Sequence, residues 1–382
     1  MAFRNSYQGL LFSLLFIIPQ FCGAQAVQAE KFKFTVDSLA SRNLFSGSIL
    51  VGIDSSVVFY HSAGFSSRNP RQPINRNTTF EIASLTKQFT AALILKLFEE
   101  RVLSLHEPMG KYLKWYPRNY KDSITIHQLL THQSGIPNYT DLTEWPSLST
   151  QQFGKKTFVK QLFAGKPLQF IPGSDFSYSN SNYYLLGLIA EEITKKPYGT
   201  LLKEYFFTPL KMSNSGVLAG KDHAEIKLAI GYERLPNGFI EKAPHQHYST
   251  AFAVSGLYST PENLFTWSNA LSHNKILPDL IQSMMMTPHS NNYGYGLVIS
   301  YANSGEIATV IRNPFSKAAD KTGKKLRLVW HWGSNPGYNS LFLKIPEKQI
   351  TLIILENLTQ LDSKPPTLIP DLAEKIIPVF LN

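Results

Sequence analysis

Cysteine is almost absent from this sequence, which has one cysteine, Cys22, in 382 residues. Cys22 falls in an N-terminal segment that we expect to be removed, so the remaining chain is predicted to contain no disulfide, no thiolate nucleophile and no cysteine-ligated metal. Stability must then come from the hydrophobic core, and about 350 residues are enough to build a large one. The sequence predicts no metal and no other cofactor.

Charged residues are also scarce at the start of the chain, where Arg4 is the only one within residues 1–29. An apolar run over residues 10–21 follows, too short for a membrane span, and small residues come after it. We predict a secretory signal peptide over residues 1–29, cleaved after Ala26 or Ala29. The protein is then expected to be exported, either periplasmic or secreted, without stable membrane insertion; an uncleaved N-terminal anchor is the alternative.

Acidic residues are fewer than basic ones, 27 against 37, which gives the chain a formal net charge of +10. A nucleic-acid-binding protein is an alternative for so basic a chain. The densest basic stretch, residues 317–327, is interrupted by Asp320, Thr322 and Gly323, and no zinc pattern or RNP-type motif accompanies it. We therefore expect no nucleic-acid partner, and the oligomeric state is left open.

The residues that suggest chemistry begin with Ser84 and Lys87, three positions apart at the start of an apolar helical run. On an α-helix such residues share a face with Cβ atoms about 5–6 Å apart, so the amine can reach the hydroxyl. The free N–H groups at a helix start also stabilise negative charge. The spacing alone arises easily by chance, and a capping serine with a solvated lysine is the alternative.

A second polar cluster contains Tyr178 and Asn180, two positions apart in a loop before a predicted helix. Acyl transfer needs a nucleophile, a base and an acid. We predict that desolvated Lys87, or Tyr178 with its phenolate stabilised by Lys87, takes the proton from Ser84. Asn180 is predicted to hold Lys87 through its carbonyl oxygen and to offer its NH2 group to a substrate amide. A capping loop rich in serine and asparagine is the alternative.

A third cluster, His331 to Ser334, follows the predicted strand over residues 326–330. Gly333 allows a substrate backbone to approach, and the N–H of Ser334 can pair with that of Ser84 as an oxyanion hole. His331 is predicted to tune the other clusters electrostatically. A packed, hydrogen-bonded histidine is the alternative.

In this order, the three clusters resemble the serine β-lactamase-like superfamily: class C β-lactamases, D-alanyl-D-alanine carboxypeptidases and related esterases. Residues 129–137, 172–187 and 255–261 also look like stretches of this group, and the resemblance covers about residues 40–360. It implies the following roles: Ser84 is the acylated nucleophile, Lys87 its partner, Tyr178 the general base and acid, Asn180 a substrate and lysine contact, and His331 the residue of the third motif.

Trp332 stands where the members active on β-lactams usually have a Thr or Ser that binds the substrate carboxylate, and His331 stands where class C enzymes usually have Lys. Trp offers one indole donor and a large apolar surface instead. We therefore expect an exported serine hydrolase that forms an acyl-enzyme on an ester, amide or D-amino-acid peptide bond, with efficient β-lactam hydrolysis disfavoured. Asn180, Trp332, Gly333 and Ser334 would contact a small-molecule or peptidoglycan-like substrate.

Two alternatives from other classes stay open. One is a penicillin-recognising or cell-wall-binding module with slow or lost turnover. The other is a basic envelope-associated protein whose three clusters are incidental.

The distribution of patterns predicts an α+β fold: an antiparallel sheet completed by the two chain ends, flanked by helices, with an inserted mostly helical lobe. The resemblance implies that this fold is of the β-lactamase/transpeptidase-like type. We expect one domain over residues 30–382, with an α/β lobe at about 30–107 and 289–382 and a helical lobe at about 108–288. The predicted helices are residues 34–41, 84–101, 126–131, 153–163, 181–194, 198–206, 261–271 and 370–381. The predicted strands are residues 47–53, 57–60, 296–301, 307–311, 326–330, 340–344 and 349–355.

Overall fold

The computed structural model of the protein describes residues 23–219, 224–315, 325–361 and 367–381. Its α-helices are α1 (Gly23–Ser41), α2 (Thr86–Glu99), α3 (Arg118–Lys121), α4 (Ile126–Leu130), α5 (Trp145–Leu148), α6 (Lys155–Leu162), α7 (Asn180–Thr194), α8 (Tyr198–Leu202), α9 (Tyr248–Ser255), α10 (Pro261–Ser272), α11 (Asp279–Met285), α12 (Ile307–Arg312) and α13 (Ile369–Phe380). Short 3₁₀ turns lie at Ala83–Leu85, Met109–Lys111, Tyr139–Asp141, Ser304–Glu306 and Pro346–Lys348, and a π-helical turn at Lys203–Phe207.

The strands of the described residues belong to four sheets of different size. They are β1 (Gly47–Ile53), β2 (Ser56–Ala63), β3 (Phe65–Arg68), β4 (Arg71–Pro73), β5 (Phe80–Glu81), β6 (Gly216–Val217), β7 (Tyr232–Arg234), β8 (Ile240–Lys242), β9 (Leu257–Ser259), β10 (Val298–Ala302), β11 (Leu326–Asn335), β12 (Tyr338–Ile345), β13 (Ile350–Glu356) and β14 (Leu358–Gln360).

Six of these strands form one antiparallel sheet in the order β10-β11-β12-β13-β1-β2. The N-terminal hairpin β1–β2 completes a sheet whose other strands come from the C-terminal part of the chain. Strand β1 pairs with β13 from Gly47, opposite Glu356, to Ile53, opposite Ile350. The predicted fold class, an antiparallel sheet closed by the two chain ends with helices between them in sequence, is confirmed.

Helices cover both faces of this sheet, which explains why its central strands are buried throughout. All residues of β12 and β13 are buried, as expected of strands that have no solvated face. Helix α13 packs on β12 and β13 and against α1, and α10 packs on β1 and β13. Helix α10 falls within the predicted helical lobe in sequence, although it packs on the sheet. The predicted boundaries between the α/β lobe and the helical lobe stay a prediction.

Helix α2 is the buried helix that the sequence predicts. Eleven of its side chains are buried, from Thr86 to Leu95 and Leu97, leaving polar exposure only toward its C-terminal end. It contacts α7, α9 and α11, so its surface is enclosed by other elements rather than by solvent. A helix that is apolar nearly all round is stable only in such a setting.

The predicted strand over residues 307–311 is wrong, because these residues form helix α12. A capping box begins it: the Asn303 side chain accepts from the backbone of Glu306, whose carboxylate accepts from the Asn303 N–H at 3.0 Å. Ile307, Ala308 and Ile311 are then buried on one side, next to α13. The β-branched residues favoured a strand, and packing against α13 outweighs that preference.

The predicted signal peptide lies mostly outside the described residues. Residues 1–22 are not described, and residues 23–29 form the first part of α1. Within the described ranges, no helix combines the length and the hydropathy needed to cross a membrane. Export and the cleavage position stay predictions, as does the role of the basic stretch at residues 317–327, most of which is also outside the described residues.

Candidate active site

Ser84 lies in the 3₁₀ turn that leads into α2, and it directly follows Ala83, whose backbone is strained. Ala83 is buried and has a φ of +45°, in the left-handed region that favours glycine. Strand β11 passes close to this turn: a Cβ on Gly333 would lie 2.7 Å from the Ser84 nitrogen and 2.6 Å from the Ile82 oxygen. Only glycine allows so close an approach, and the Ser340 hydroxyl fixes it by donating to the Ile82 carbonyl at 2.8 Å.

Lys87 is the second residue of α2 and is fully buried, and its amine points to Ser84. Its Nζ lies 2.9 Å from Ser84 Oγ and donates to the carbonyl oxygen of Val254 at 3.2 Å. Burial removes water from the ammonium form and lowers the pKa of Lys87 well below its ordinary value. The predicted desolvation of Lys87 is therefore observed, and the neutral amine is favoured beside the serine hydroxyl.

The acceptor for Lys87 comes from a kink in α9. Phe252 has a φ of +31° and a ψ of −124° within this helix. The carbonyl oxygens that follow are turned toward α2: Ala253 accepts from Thr90 Oγ1 at 2.7 Å, and Val254 accepts from Lys87. These carbonyl groups lie in the last turn of α9, where they have no partner within the helix, and the kink at Phe252 directs them to side chains of α2.

The Tyr178 hydroxyl is buried at the same place. Lys87 Nζ lies 5.1 Å from the centroid of the Tyr178 ring. Burial raises the pKa of Tyr178, and the nearby Ser84 hydroxyl acts in the opposite direction. The Tyr178 hydroxyl forms no hydrogen bond of good geometry within the described residues. The phenol is therefore favoured over the phenolate, which makes Lys87 the better of the two predicted bases.

Asn180 lies at the first position of α7, but the predicted hydrogen bond to Lys87 is not formed. Its Nδ2 donates to Thr140 Oγ1 at 3.1 Å, and its backbone N–H donates to Asn138 Oδ1 at 3.0 Å. Its Oδ1 is buried and has no partner among the described residues. The expectation fails because the Asn138–Thr140 turn holds the amide in another direction and Lys87 takes a backbone carbonyl instead.

His331 lies within β11, which continues to Asn335 rather than ending at the predicted position. The imidazole is buried, its Nδ1 lies 2.6 Å from the Trp332 carbonyl oxygen and its Nε2 3.1 Å from the Tyr293 hydroxyl. A carbonyl oxygen only accepts, so Nδ1 carries the hydrogen and Tyr293 donates to Nε2. Burial, with the nearby Lys87, lowers the pKa of His331 to about 3. His331 therefore supplies a hydrogen-bonded neutral ring, and the electrostatic tuning predicted for it stays a prediction.

His132 is a residue that the sequence analysis did not select for this site. It is fully buried, and its ring centroid lies 4.4 Å from that of Tyr178 and 4.7 Å from that of Tyr293. Its only signal in the sequence is its position inside residues 129–137, one of the stretches that carry the family resemblance. A lone histidine next to apolar residues gives no indication of which distant rings it will contact.

Two cavities flank the Ser84 turn on either side of β11. The smaller has a volume of about 160 Å³ and is lined by residues that include Ser84, Asn180, Ser334 and Asn335. The larger, about 280 Å³, is lined mostly by apolar groups. Its lining comprises Ile311, Arg312, Pro314, Trp332, Gly333, Ser334, Asn339, Ser340, Thr367, Ile369 and Pro370. Among the described residues, no group of three or more His, Cys, Asp or Glu side chains could hold a metal ion.

The eight residues selected from the sequence therefore lie in one region. Lys87, Tyr178 and His331 form its buried floor behind Ser84. Trp332 extends this floor into an aromatic cluster, because its ring lies 5.0 Å from His331, 5.9 Å from Tyr178 and 5.6 Å from Phe315. The remaining three selected residues line the cavities: Asn180, Gly333 and Ser334.

This fold and arrangement of side chains define a protein of the serine β-lactamase-like superfamily, which includes penicillin-binding proteins. The chain belongs to the Beta-lactamase family, whose model matches residues 33–374. In sequence it is similar to Protein flp of Staphylococcus aureus (strain MW2), with 28% identity over 85% of this chain and 62% of that protein. It is also similar to Penicillin-binding protein 4* of Bacillus subtilis (strain 168), with 26% identity over 84% of this chain and 70% of that protein. The chain thus spans about three fifths of the length of the first of these relatives.

Solved structures of the same fold cover nearly the whole chain. A penicillin-binding protein from Bacillus halodurans has a TM-score of 0.69 and 26% identity, covering 88% of this chain and 95% of that chain. The D-amino acid amidase from Ochrobactrum anthropi SV3, solved with L-phenylalanine amide, has a TM-score of 0.76 and 22% identity, covering 92% of this chain and 98% of that chain. The predicted membership of the superfamily is confirmed.

A buried carboxyl group supports the end of β11 beside the smaller cavity. Glu81 Oε2 accepts from Asn335 Nδ2 at 2.8 Å, and Nδ1 of His245 lies 3.8 Å from Glu81 Oε1. Burial raises the pKa of Glu81 to about 7, although the Asn335 amide acts in the opposite direction. Below that pH the folded protein holds a neutral carboxylic acid here. At higher pH it must hold a buried carboxylate.

We expect Glu81→Gln to stabilise the protein relative to wild type as the pH rises. The unfolded chain loses the Glu81 proton near its ordinary pKa and the folded chain only near pH 7, so the wild type loses stability across that interval. The difference in pKa corresponds to a change of roughly 2–3 kcal/mol in the free energy of unfolding between pH 5 and pH 8. Urea unfolding of both proteins at the two pH values measures it. A stability difference that is independent of pH would contradict the raised pKa.

Proposed function

We propose that this protein is an exported serine hydrolase that forms an acyl-enzyme on Ser84. The proposal rests on the neutral-favoured amine of Lys87, 2.9 Å from Ser84 Oγ in a buried site. A serine hydroxyl is a weak nucleophile unless an adjacent base takes its proton. A desolvated lysine is such a base, because its free amine is populated near neutral pH.

In the proposed acylation, Ser84 Oγ attacks the carbonyl carbon of the substrate while its proton moves to Lys87 Nζ. The C–O bond to Ser84 forms, and the carbonyl oxygen becomes an oxyanion in a tetrahedral intermediate. The proton then passes through the Tyr178 hydroxyl to the departing oxygen or nitrogen, and the bond to the leaving group breaks. Water repeats the sequence on the acyl-Ser84 ester, releasing the acid and restoring the Ser84 hydroxyl.

The oxyanion requires hydrogen-bond donors that are already oriented. We assign the backbone N–H groups of Ser84 and Ser334 to this role. The support is that β11 approaches the Ser84 turn so closely that a side chain at Gly333 would collide with the Ser84 nitrogen. Asn180, at the rim of the same cavity, is assigned a substrate contact, since its buried carbonyl oxygen has no partner among the described residues.

The substrate is proposed to carry an apolar or aromatic group that packs on the Trp332 side of β11. This assignment is supported by the larger cavity, where Trp332, Ile311 and Ile369 contribute apolar walls. An ester, a D-amino-acid amide or a D-amino-acid peptide can undergo the acyl transfer and can also place an apolar group against this wall. The carboxylate of a β-lactam would face the Trp332 indole at the position where a hydroxyl group is needed to bind that carboxylate. Efficient β-lactam hydrolysis is therefore not part of the proposal.

The first prediction concerns covalent labelling of Ser84. The wild-type protein is expected to react with a fluorophosphonate probe, and Ser84→Ala is expected to lose the label completely, because among the serine residues that the structure describes Ser84 is the one hydrogen-bonded to the Lys87 amine. Ser255→Ala, which changes another serine that lines the same cavity, should label like wild type. Gel fluorescence and intact mass measure the adduct.

A second probe in the same assay, a fluorescent penicillin, separates the alternative function. A penicillin adduct that is stable for hours, with no turnover of any ester or D-amino-acid amide, would favour a penicillin-recognising module. Absence of adduct with both probes would refute the hydrolase. Adduct that persists in Ser84→Ala would refute the assignment of the nucleophile.

Tyr178→Phe is expected to lower kcat by about 10²–10⁴-fold if the hydroxyl carries the proton to the leaving group. Tyr184→Phe is the matched control, since it removes a buried hydroxyl that donates to the Ser249 carbonyl, away from Ser84. The control should cost about 1 kcal/mol of stability and leave kcat nearly unchanged. Ester hydrolysis by the two variants measures this, and near-wild-type activity of Tyr178→Phe would assign the proton transfer to Lys87 alone.

Trp332→Thr is expected to raise reaction with carboxylate-bearing β-lactams relative to simple esters, because a hydroxyl replaces the apolar wall. Trp332→Phe keeps an aromatic wall without adding a hydroxyl and should leave the ratio unchanged. The measurement is kcat/KM for a cephalosporin and for a p-nitrophenyl ester with each variant. An equal ratio in wild type and Trp332→Thr would show that Trp332 does not set the preference.

A further inference from the structure

The loop that carries Tyr178 is held on both sides by His132. The backbone N–H of Ser177 donates to the His132 carbonyl oxygen at 3.0 Å, and the N–H of Ser179 donates to His132 Nδ1 at 3.1 Å. The imidazole also lies against the phenol, with 4.4 Å between ring centroids and 38° between ring planes. One residue therefore fixes the backbone before and after Tyr178 and contacts its ring.

His132 is itself held firmly. It is fully buried and has a φ of +57°, the left-handed conformation that a non-glycine residue adopts only at a cost. Asn182 of α7 donates its Nδ2 to His132 Nδ1 at 3.3 Å and accepts at Oδ1 from Ser134 Oγ at 2.6 Å. Because Nδ1 accepts hydrogen bonds, the ring hydrogen is on Nε2 and the imidazole is neutral.

Tyr178 needs such support because its hydroxyl is weakly held. Within the described residues this oxygen is buried and makes no hydrogen bond of good geometry, although the Ser84 hydroxyl lies near it, so its position depends mainly on the backbone and the ring. Transfer of a proton requires the hydroxyl to lie within hydrogen-bond reach of the groups that exchange it, and an error of about 1 Å costs on the order of 10²-fold in rate.

We propose that His132 is a positioning residue of the reaction, which holds the Tyr178 hydroxyl in register with Ser84 and Lys87. It acts through Tyr178 and makes no contact with the substrate. The inference rests on the proposed function, in which Tyr178 passes the proton to the leaving group. It adds to that function a residue that fixes the position of the Tyr178 hydroxyl for the proton transfer.

A double-mutant cycle tests this role, using kcat for a p-nitrophenyl ester. His132→Leu removes both the acceptor and the flat ring, and we expect it to lower kcat by roughly 10²-fold when Tyr178 is present. In the Tyr178→Phe background the same change should lower kcat by less than about 3-fold, because there is no hydroxyl left to position. KM should change little in either background. Equal losses in the two backgrounds would overturn the proposal.

A conservative variant provides the second readout. The Oδ1 of asparagine can accept from the Ser179 N–H, and asparagine tolerates a positive φ. His132→Asn should therefore recover at least about 10-fold of the kcat lost in His132→Leu. Recovery no better than leucine would contradict the hydrogen bond as the cause. If His132→Leu does not fold, the cycle is run with His132→Asn, and coupling of the same sign is expected.

The matched control is His127→Leu, in the helix α4 that precedes His132. The His127 side chain contacts Tyr295, His106 and His289, and none of these three residues lies in the Tyr178 loop. His127→Leu should change kcat by the same factor in the presence and in the absence of the Tyr178 hydroxyl.

Failure of this inference and failure of the proposed function give different results. Absence of an adduct with both probes refutes the function, and labelling that survives Ser84→Ala refutes the assignment of the nucleophile. Labelling that depends on Ser84, together with an additive cycle, refutes only the role of His132. Wild-type kcat in Tyr178→Phe also refutes that role, since no proton shuttle would then need positioning.

Discussion

The burial of Lys87 is the constraint on which the rest of the site depends. An amine enclosed between α2, α7 and α9 has no water around it, so its charged form is disfavoured and its polar contacts must come from the protein. The structure supplies Ser84 Oγ and the carbonyl oxygen of Val254. The first is reached through the turn at Ala83 and the second through the kink at Phe252. The need to give one buried amine its polar partners therefore determines the backbone conformation at two places, the turn at Ala83 and the kink at Phe252.

Backbone strain is concentrated around this amine. Ala83, His132 and Phe252 all have positive φ values and all are fully buried. Each such residue costs on the order of 1 kcal/mol or more and persists only where its surroundings determine its conformation. Each also performs a task that a relaxed residue would not: Ala83 turns the chain into Ser84, Phe252 directs the last carbonyl groups of α9 to side chains of α2, and His132 turns two acceptors to one loop. The core around them is rigid enough to maintain that strain.

The sequence predicted those parts of the structure whose signals are local. Apolar runs and alternation located the central sheet and buried helix α2, and the family resemblance brought the eight selected residues to one site. Apart from the Lys87–Ser84 contact, it did not predict what those side chains bond to, because most of the partners are distant in sequence. Burial keeps His331 neutral between Tyr293 and the Trp332 carbonyl group, and Thr140 holds the Asn180 amide. Helix α12 was missed because its β-branched residues favour a strand until α13 packs against them.

The closing of the sheet by both chain ends has a consequence for when the site comes into existence. Strand β1 pairs with β13, which lies near the other end of the chain. Gly333 of β11, also distant in sequence, lies against the Ser84 turn. Contacts between such distant segments form late and slowly during folding. A chain released or arrested before β11 emerges would carry Ser84 and Lys87 without Gly333 against the Ser84 turn and without the Ser334 N–H proposed for the oxyanion. The reactivity proposed for Ser84 is thus acquired only once β11 is in place.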